Sequence, residues 1–284
     1  MSRDSTSPIA KVDKGRGYYF RSDFDRLAEV AANIDDDGNY VGAKTQASTG
    51  EGRESQTEEK FRSLYLRWTK QDGQYPVKIE HTKGARQASG INRWKFPDAV
   101  SISWNLEPTD DVGHFDSNML EVMRGLGEQP FTITSTELKT SITSSTLRQY
   151  FFQCVSNSRW AHTAQLAIAT EVNDAAVSEE LERLGASYGI AVMSFGLSEG
   201  VLAALPKASA LLEMSDADVE THLNKISIKT IATGQRREDL DWGHLRDLQK
   251  QASELRDIFE WIARCLKDSQ AYPFNLWQSQ LQKK

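Results

Sequence analysis

Phe131 to Trp160 reads FTITSTELKTSITSSTLRQYFFQCVSNSRW, and this stretch restricts the fold of the chain most tightly. Its first residues alternate and are rich in threonine and isoleucine, as a strand with one buried face requires. The strand is predicted to close on Glu137-Leu138-Lys139, with the two charged residues on one face and the leucine on the other. The Ser/Thr cluster Thr140 to Thr146 then supplies helix N-cap chemistry. A helix follows, with Leu147, Tyr150, Phe151, Cys154 and Val155 at helical spacing. Gln149, Gln153 and Asn157 lie four residues apart on another stripe of it. The all-apolar run Ala164 to Ala169 reads as a buried central strand.

The flanking elements extend this pattern in both directions. Residues 1–16 are Ser, Thr, Pro, Lys and Asp with almost nothing apolar, and disorder is expected there. Tyr18 to Ile34 reads as a short helix with Phe24, Leu27, Val30 and Ala31 on one side, and Asp35 to Gln56 as a low-complexity linker. Thr57 to Lys70 is predicted as a helix capped by Thr57, with Phe61, Leu64, Tyr65 and Trp68 as its apolar stripe. Tyr75 to Ile79 and Trp94 to Trp104 read as strands, with Asp98 near the start of the second. An insertion at 105–130 carries a helix at Ser117 to Arg124. Beyond the central unit come a helix at Asp174 to Gly185, a buried strand at Gly189 to Phe195, an edge strand at Val201 to Leu205 and a helix from Asp216 to Asn224. A single long helix then spans Asp239 to Lys267. The expected fold is α/β, a mixed central sheet flanked by helices plus a long C-terminal helix. The expected organisation is an N-terminal segment and linker at 1–56, a core at 57–235 and a helical extension at 236–284.

Charged residues at 26% and hydrophobic ones at 39% describe a soluble globular chain. No apolar run approaches the roughly 18 residues of a spanning helix, and MSRDSTSPIAK offers no apolar signal core, so a cytoplasmic protein is expected, with no membrane partner. Cys154 and Cys265 give neither a disulfide framework nor zinc spacing. A net charge of −6 does not advertise nucleic-acid binding, yet Lys78 to Lys95 is locally basic. Lys83, Arg86, Arg93 and Lys95 are the candidate nucleic-acid contacts there; a solvated face reads equally well. His81, His114 and His162 are not spaced as ligand pairs, and Asp110, Asp111 and Asp116 read as a solvated turn.

A carboxylate and a lysine two apart at a strand end, with a polar-striped helix behind, suit metal-assisted phosphodiester cleavage. Mg²⁺ is a hard ion held by one or two carboxylates plus substrate oxygens. Asp98 and Glu137 would supply the carboxylates and the Leu138 carbonyl a further ligand. Lys139 would orient the attacking water or stabilise charge developing on the phosphate. Glu59 would reach the metal-bound water from the other side, and Gln153 the same water or the substrate backbone. Arg148 and Arg159 are candidate phosphate contacts. Each has a plainer alternative: a same-face ion pair for Glu137 and Lys139, a helix N-terminal charge for Glu59, a half-buried polar position for Gln153, solvated side chains for the arginines. Leu245, Leu248, Ala252, Leu255, Phe259, Ile262 and Leu266 follow a heptad seam with Trp261 off it. That seam would pack on its own domain, or serve a homodimer or a partner in a complex.

The chain resembles the PD-(D/E)XK nuclease superfamily, whose core runs helix, three strands, helix, strand. More narrowly, it resembles a bacterial family of restriction-associated nucleases often fused to an N-terminal winged helix. The resemblance is carried by Glu59-Lys60, by Trp94-Lys95-Phe96-Pro97-Asp98, by Thr136-Glu137-Leu138-Lys139, by the run Leu147 to Ala161 and by Leu240-Asp241-Trp242. It covers about residues 57–267 and departs by lacking a winged helix and by carrying the 105–130 insertion. It implies a restriction-endonuclease-like core and Mg²⁺-dependent (or Mn²⁺-dependent) endonuclease activity on DNA, RNA not being excluded. Asp98, Glu137 and Lys139 would be the catalytic set, in restriction or antiviral defence. The competing expectation is a non-catalytic or partner-dependent nucleic-acid-binding subunit of a defence complex.

Overall fold

Six strands form one mixed sheet in the computed structural model, which describes residues 9–11, 18–20, 51–80 and 96–274. Ahead of it, β1 (Ile9–Lys11) pairs antiparallel with β2 (Tyr18–Phe20). This corrects both the disorder expected at 9–11 and the helix start expected at Tyr18; three successive aromatics favour a strand. The expected apolar stripe at Phe24 to Ala31 lies outside the described residues.

Helix α1 (Glu51–Gln71) starts six residues before Thr57, so Thr57 does not cap it. Its first turns are polar and carry no apolar period, which is why that part resembled a linker. Strand β3 (Tyr75–Lys78) follows, and β4 (Ala99–Trp104) begins only after Asp98. Proline has no N–H to donate to a ladder, so Pro97 holds the strand start back. Helix α2 (Ser117–Leu126) is capped by Asp116, whose side chain accepts from the Asn118 and Met119 amides. Then come β5 (Phe131–Lys139), α3 (Leu147–Ser156), β6 (Thr163–Ile168), α4 (Ala175–Tyr188) and β7 (Ala191–Ser194). The Ser/Thr cluster does not cap α3 through Thr146; that hydroxyl accepts from the Thr143 amide instead, 3.0 Å away.

Val201 to Leu205 is not an edge strand. It lies in and just after α5 (Glu199–Ala204), which Ser198 caps by accepting from the Val201 amide. A five-residue apolar run fits either period, and the Ser-x-x cap decides for helix. Two more short helices, α6 (Ala208–Glu213) and α7 (Asp216–Leu223), lead to β8 (Lys229–Ala232). The expected single C-terminal helix is two, α8 (Trp242–Gln251) and α9 (Ser253–Asp268), separated by an extended, buried Ala252.

The sheet order is β3-β4-β5-β6-β7-β8. β3, β4 and β5 form an antiparallel meander; β5, β6 and β7 run parallel; β8 returns antiparallel to β7. Gly185 lets β8 lie against α4, since a Cβ there would stand 2.3 Å from the Ala232 Cβ. On one face, Val100, Ile102, Phe131 and Ile133 meet Leu245, Leu248, Leu255, Ile258 and Trp261 of α8 and α9. Leu166 and Ile168 meet α3 and α4. Ala99, Leu138 and Ala167 meet α1 and the α5–α7 cluster on the other face.

The break at Ala252 rotates the C-terminal apolar stripe. Leu255, Ile258, Trp261, Ile262 and Cys265 are buried on α9, whereas Phe259 and Leu266 are only partly so. A heptad seam read straight through would have left Trp261 out; it is 0% exposed. The buried part of the stripe faces its own sheet. No helix among the described residues is long and apolar enough to cross a membrane.

Candidate functional site

The candidate site is at the carboxyl end of β5, where the antiparallel meander gives way to parallel pairing. The β4–β5 ladder ends at Ala99 opposite Thr136, because Pro97 has no N–H with which to extend it. The Leu138 amide therefore donates to Asp98 Oδ2 at 2.8 Å instead of to a backbone carbonyl. The Leu138 side chain points away into the core beneath α1. Glu137 and Lys139 stand together on the face covered by α3, as their spacing of two requires.

These residues form one buried network. Lys139 Nζ donates to Glu137 Oε1 at 2.7 Å, and Asn157 Nδ2 reaches Glu137 Oε2 at 3.3 Å and the Phe96 carbonyl at 3.0 Å. Asp98 and Glu137 are hydrogen-bonded to each other. Arg62 Nη2, from α1, donates to Asp98 Oδ1 at 2.6 Å. Arg62 is also paired with Glu59 through Nη1 and with Glu58 at 3.3 Å, and Lys78 holds the other Glu59 oxygen at 2.8 Å. Lys139 Nζ sits 4.9 Å from the centre of the Tyr150 ring, a cation–π contact. Asp98 is 4% exposed, Glu137 1% and Lys139 9%, so this is an interior charge cluster and not the surface ion pair the letters alone allowed.

Burial, then the neighbouring charge of Asp98, pushes the Glu137 carboxyl up to about 8, against the pull of Lys139. Burial would lower the Lys139 ammonium, but Glu137 and Asp98 outweigh it and hold the pKa above the ordinary lysine range. Glu137 thus holds a proton more tightly than a free carboxyl does, the usual answer of two close carboxyls to a shared low-dielectric site.

That proton has a consequence for stability. The folded state retains it where the unfolded chain, with an ordinary value of 4.5, has released it, so this contribution is full below pH 4.5 and is lost as pH rises towards about 8. His162 works in the opposite sense. Burial and Arg236 lower its pKa from 6.5 to about 4, so stability is lost as pH falls from 6.5 towards 4. Between pH 6.5 and 8 only Glu137 of these two acts. Urea unfolding of metal-free protein is expected to weaken across that interval, and Glu137→Gln to flatten the slope. An equal slope in the variant would remove Glu137 as its source.

Of the residues named from sequence, Asp98, Glu137, Lys139 and the Leu138 backbone come together, and Glu59 joins them through Arg62 and Lys78. Gln153 is buried on the α3 stripe one turn before Asn157. Arg148 is not part of the cluster; its side chain is 63% exposed and lies 3.9 Å from Glu180. Arg159 is exposed in the turn after α3. Lys83, Arg86, Arg93 and Lys95 lie outside the described residues. His162 is structural, its Nδ1 accepting from the Ile133 amide at 2.9 Å. Asp110 accepts from the amides of Val112, Gly113 and His114, which makes it a turn residue.

Sequence reasoning did not assign Arg62, Asn157 or Tyr150 to the site. Arg62 sat between Phe61 and Leu64 on a helix face becoming apolar, which is a signal for a buried, paired charge. Asn157 was visible as the end of the Gln stripe, without any sign that its amide bridges Phe96 to Glu137.

Two carboxyls in contact are hard oxygen donors of the kind Mg²⁺ and Mn²⁺ take. Among the described residues no group of three or more His, Cys, Asp or Glu side chains could hold a metal ion, so a cation here would take two carboxylates and complete its shell with carbonyl, water or substrate oxygen. Against known proteins, no family model, curated protein or solved structure matches the chain.

Proposed function

We propose that this chain is a metal-dependent deoxyribonuclease with a restriction-endonuclease-like PD-(D/E)XK core, acting in the cytoplasm in restriction or antiviral defence. The observation that carries the reading is the buried Asp98–Glu137 contact with Lys139 on Glu137, at the end of β5. The element order α1, β3–β4–β5, α3, β6 supports it, since it follows the helix, three strands, helix, strand of that superfamily. The defence role rests on the resemblance alone.

Asp98 and Glu137 would hold a divalent cation, with the Leu138 carbonyl as a further ligand. When bound, such an ion neutralises a phosphate and lowers the pKa of water. Lys139, held cationic by Glu137 and Asp98 and steadied by Tyr150, would donate to the phosphate oxygen on which charge develops. Asn157 would keep Glu137 turned towards Asp98 by tying it to the Phe96 carbonyl. Glu59 would hold Lys78 and Arg62 at the mouth of the site.

One observation favours the second reading, a partner-dependent nucleic-acid-binding subunit. Each oxygen of Asp98 and Glu137 already has a donor within the chain. Opening that network would then need the partner. Purified protein incubated with plasmid, single-stranded DNA and RNA, in Mg²⁺, Mn²⁺ or EDTA, separates the two. The nuclease reading expects DNA cleavage with either metal and none in EDTA. Binding of DNA without cleavage in any condition would favour the subunit, and cleavage of RNA alone would correct the substrate.

A further inference from the structure

We infer that Arg62 serves as a resident cation for Asp98, and that it must swing off this carboxylate, along its Glu58–Glu59 tether, before a divalent ion can bind. The inference rests on the metal-site reading above and adds how access to that site is controlled.

The geometry is specific. Arg62 Nη2 is 2.6 Å from Asp98 Oδ1, nearer than most neutral hydrogen bonds, while the Leu138 amide holds Oδ2. A cation ligated by Asp98 would need an oxygen the guanidinium now covers. Two positive charges cannot share one buried carboxylate cheaply, so the arginine and the metal ion compete. The side chain of Arg62 is 10% exposed, and its Nε has no acceptor among the described residues. The guanidinium thus has one donor unsatisfied where it stands.

A second position is already built. Glu58 and Glu59 lie four and three residues earlier on α1, both in contact with Arg62, and their side chains are 30% and 38% exposed. Arg62 can leave Asp98 without losing these partners, moving outward on its own helix. There it would meet a substrate phosphate, for which a planar fork of donors is suited. Lys78 on the far oxygen of Glu59 keeps that carboxylate oriented. Arg62 is therefore a positioning residue in the resting chain and a phosphate contact in the loaded one.

Calorimetric titration of the full chain with Mn²⁺ alone, in the absence of nucleic acid, tests this. Arg62→Gln keeps a donor near Asp98 without the charge and is expected to bind Mn²⁺ about tenfold more tightly than wild type. Arg62→Lys keeps a charge in the same place, and with it the fold, and is expected to fall between the two. Glu137→Ala should bind no Mn²⁺. Tighter binding in Arg62→Gln than in Arg62→Lys or wild type supports the inference, as does Mn²⁺ binding seen only when the charge is removed. Unchanged or weaker binding in Arg62→Gln, with wild type binding normally, overturns it and leaves the metal site standing. Absence of Mn²⁺ binding in every variant overturns both.

Discussion

Glu137→Ala is expected to lower metal-dependent DNA cleavage by at least about 10³-fold, the upper range for losing one preorganised charge-stabilising group. The residue has two roles in the account: an oxygen donor for the cation, and the partner that fixes Lys139 at 2.7 Å. Removing it takes away both. Lys139→Ala is expected to lose a similar factor. Lys139→Arg should not rescue it, because a planar guanidinium cannot reproduce a point charge seated over the Tyr150 ring. The variants should remain folded for a physical reason. A lone buried carboxyl at position 137 can take up a proton, the direction in which burial already pushes it, and a lone Lys139 still has Asp98 as a neighbouring charge. Circular dichroism melts run beside rate measurements separate lost chemistry from lost fold. A variant with wild-type melting and wild-type rate would remove that residue from the mechanism.

Trp261→Ala should be the most damaging single truncation for stability, by about 3–5 kcal/mol in urea unfolding. Its ring is 0% exposed and sits 4.8 Å from Tyr75, 5.5 Å from Trp104 and 5.3 Å from Phe274, centroid to centroid. Its Nε1 donates to the Tyr272 carbonyl at 2.9 Å. One side chain thus joins β3, β4, α9 and the segment after α9. Met119→Ala on the exposed side of α2 is the matched control, expected within about 0.5 kcal/mol of wild type. A loss of less than about 1 kcal/mol in Trp261→Ala would mean that α9 is an appendage and not a wall of the core.

What could be read from letters follows the range of the interactions involved. The strand Phe131–Lys139 was legible to the residue, because a period of two is a local signal, although its last five residues turn out to be buried on both faces. Glu137 and Lys139 fell on one face for the same reason. The helices of the parallel half were found for their apolar stripes. The α8–α9 break was not, since Ala252 is a good helix former and nothing in its neighbours marks an interruption. The heptad pattern continued across it, and only packing against the sheet shows that Trp261 and Cys265 replace Phe259 and Leu266 inside.

The site was half legible. The residues that lie close in sequence, Glu137, Leu138 and Lys139, could be grouped, and Asp98 could be added from its place at a strand start. The partners that neutralise them could not, since Arg62 is 36 residues from Asp98 and Asn157 is 20 from Glu137. Such pairings depend on how α1 and α3 cross the sheet end, which no local period encodes. The basic loop, Arg148 and Arg159 were singled out for charge alone; of these, Arg148 is a surface residue beside Glu180. Charge on a surface is common, whereas a charge buried in the interior calls for a reason.

The central claim is that the buried Asp98–Glu137–Lys139 cluster hydrolyses phosphodiester bonds with a divalent metal. Nicking of supercoiled plasmid in Mg²⁺, by wild-type protein and by the Glu137→Ala/Lys139→Ala double variant at equal concentration, tests it most directly. The account predicts conversion to open-circular or linear DNA by wild type, loss of that activity in EDTA, and none above background from the double variant. Equal nicking by both proteins, or nicking that persists in EDTA, would contradict it.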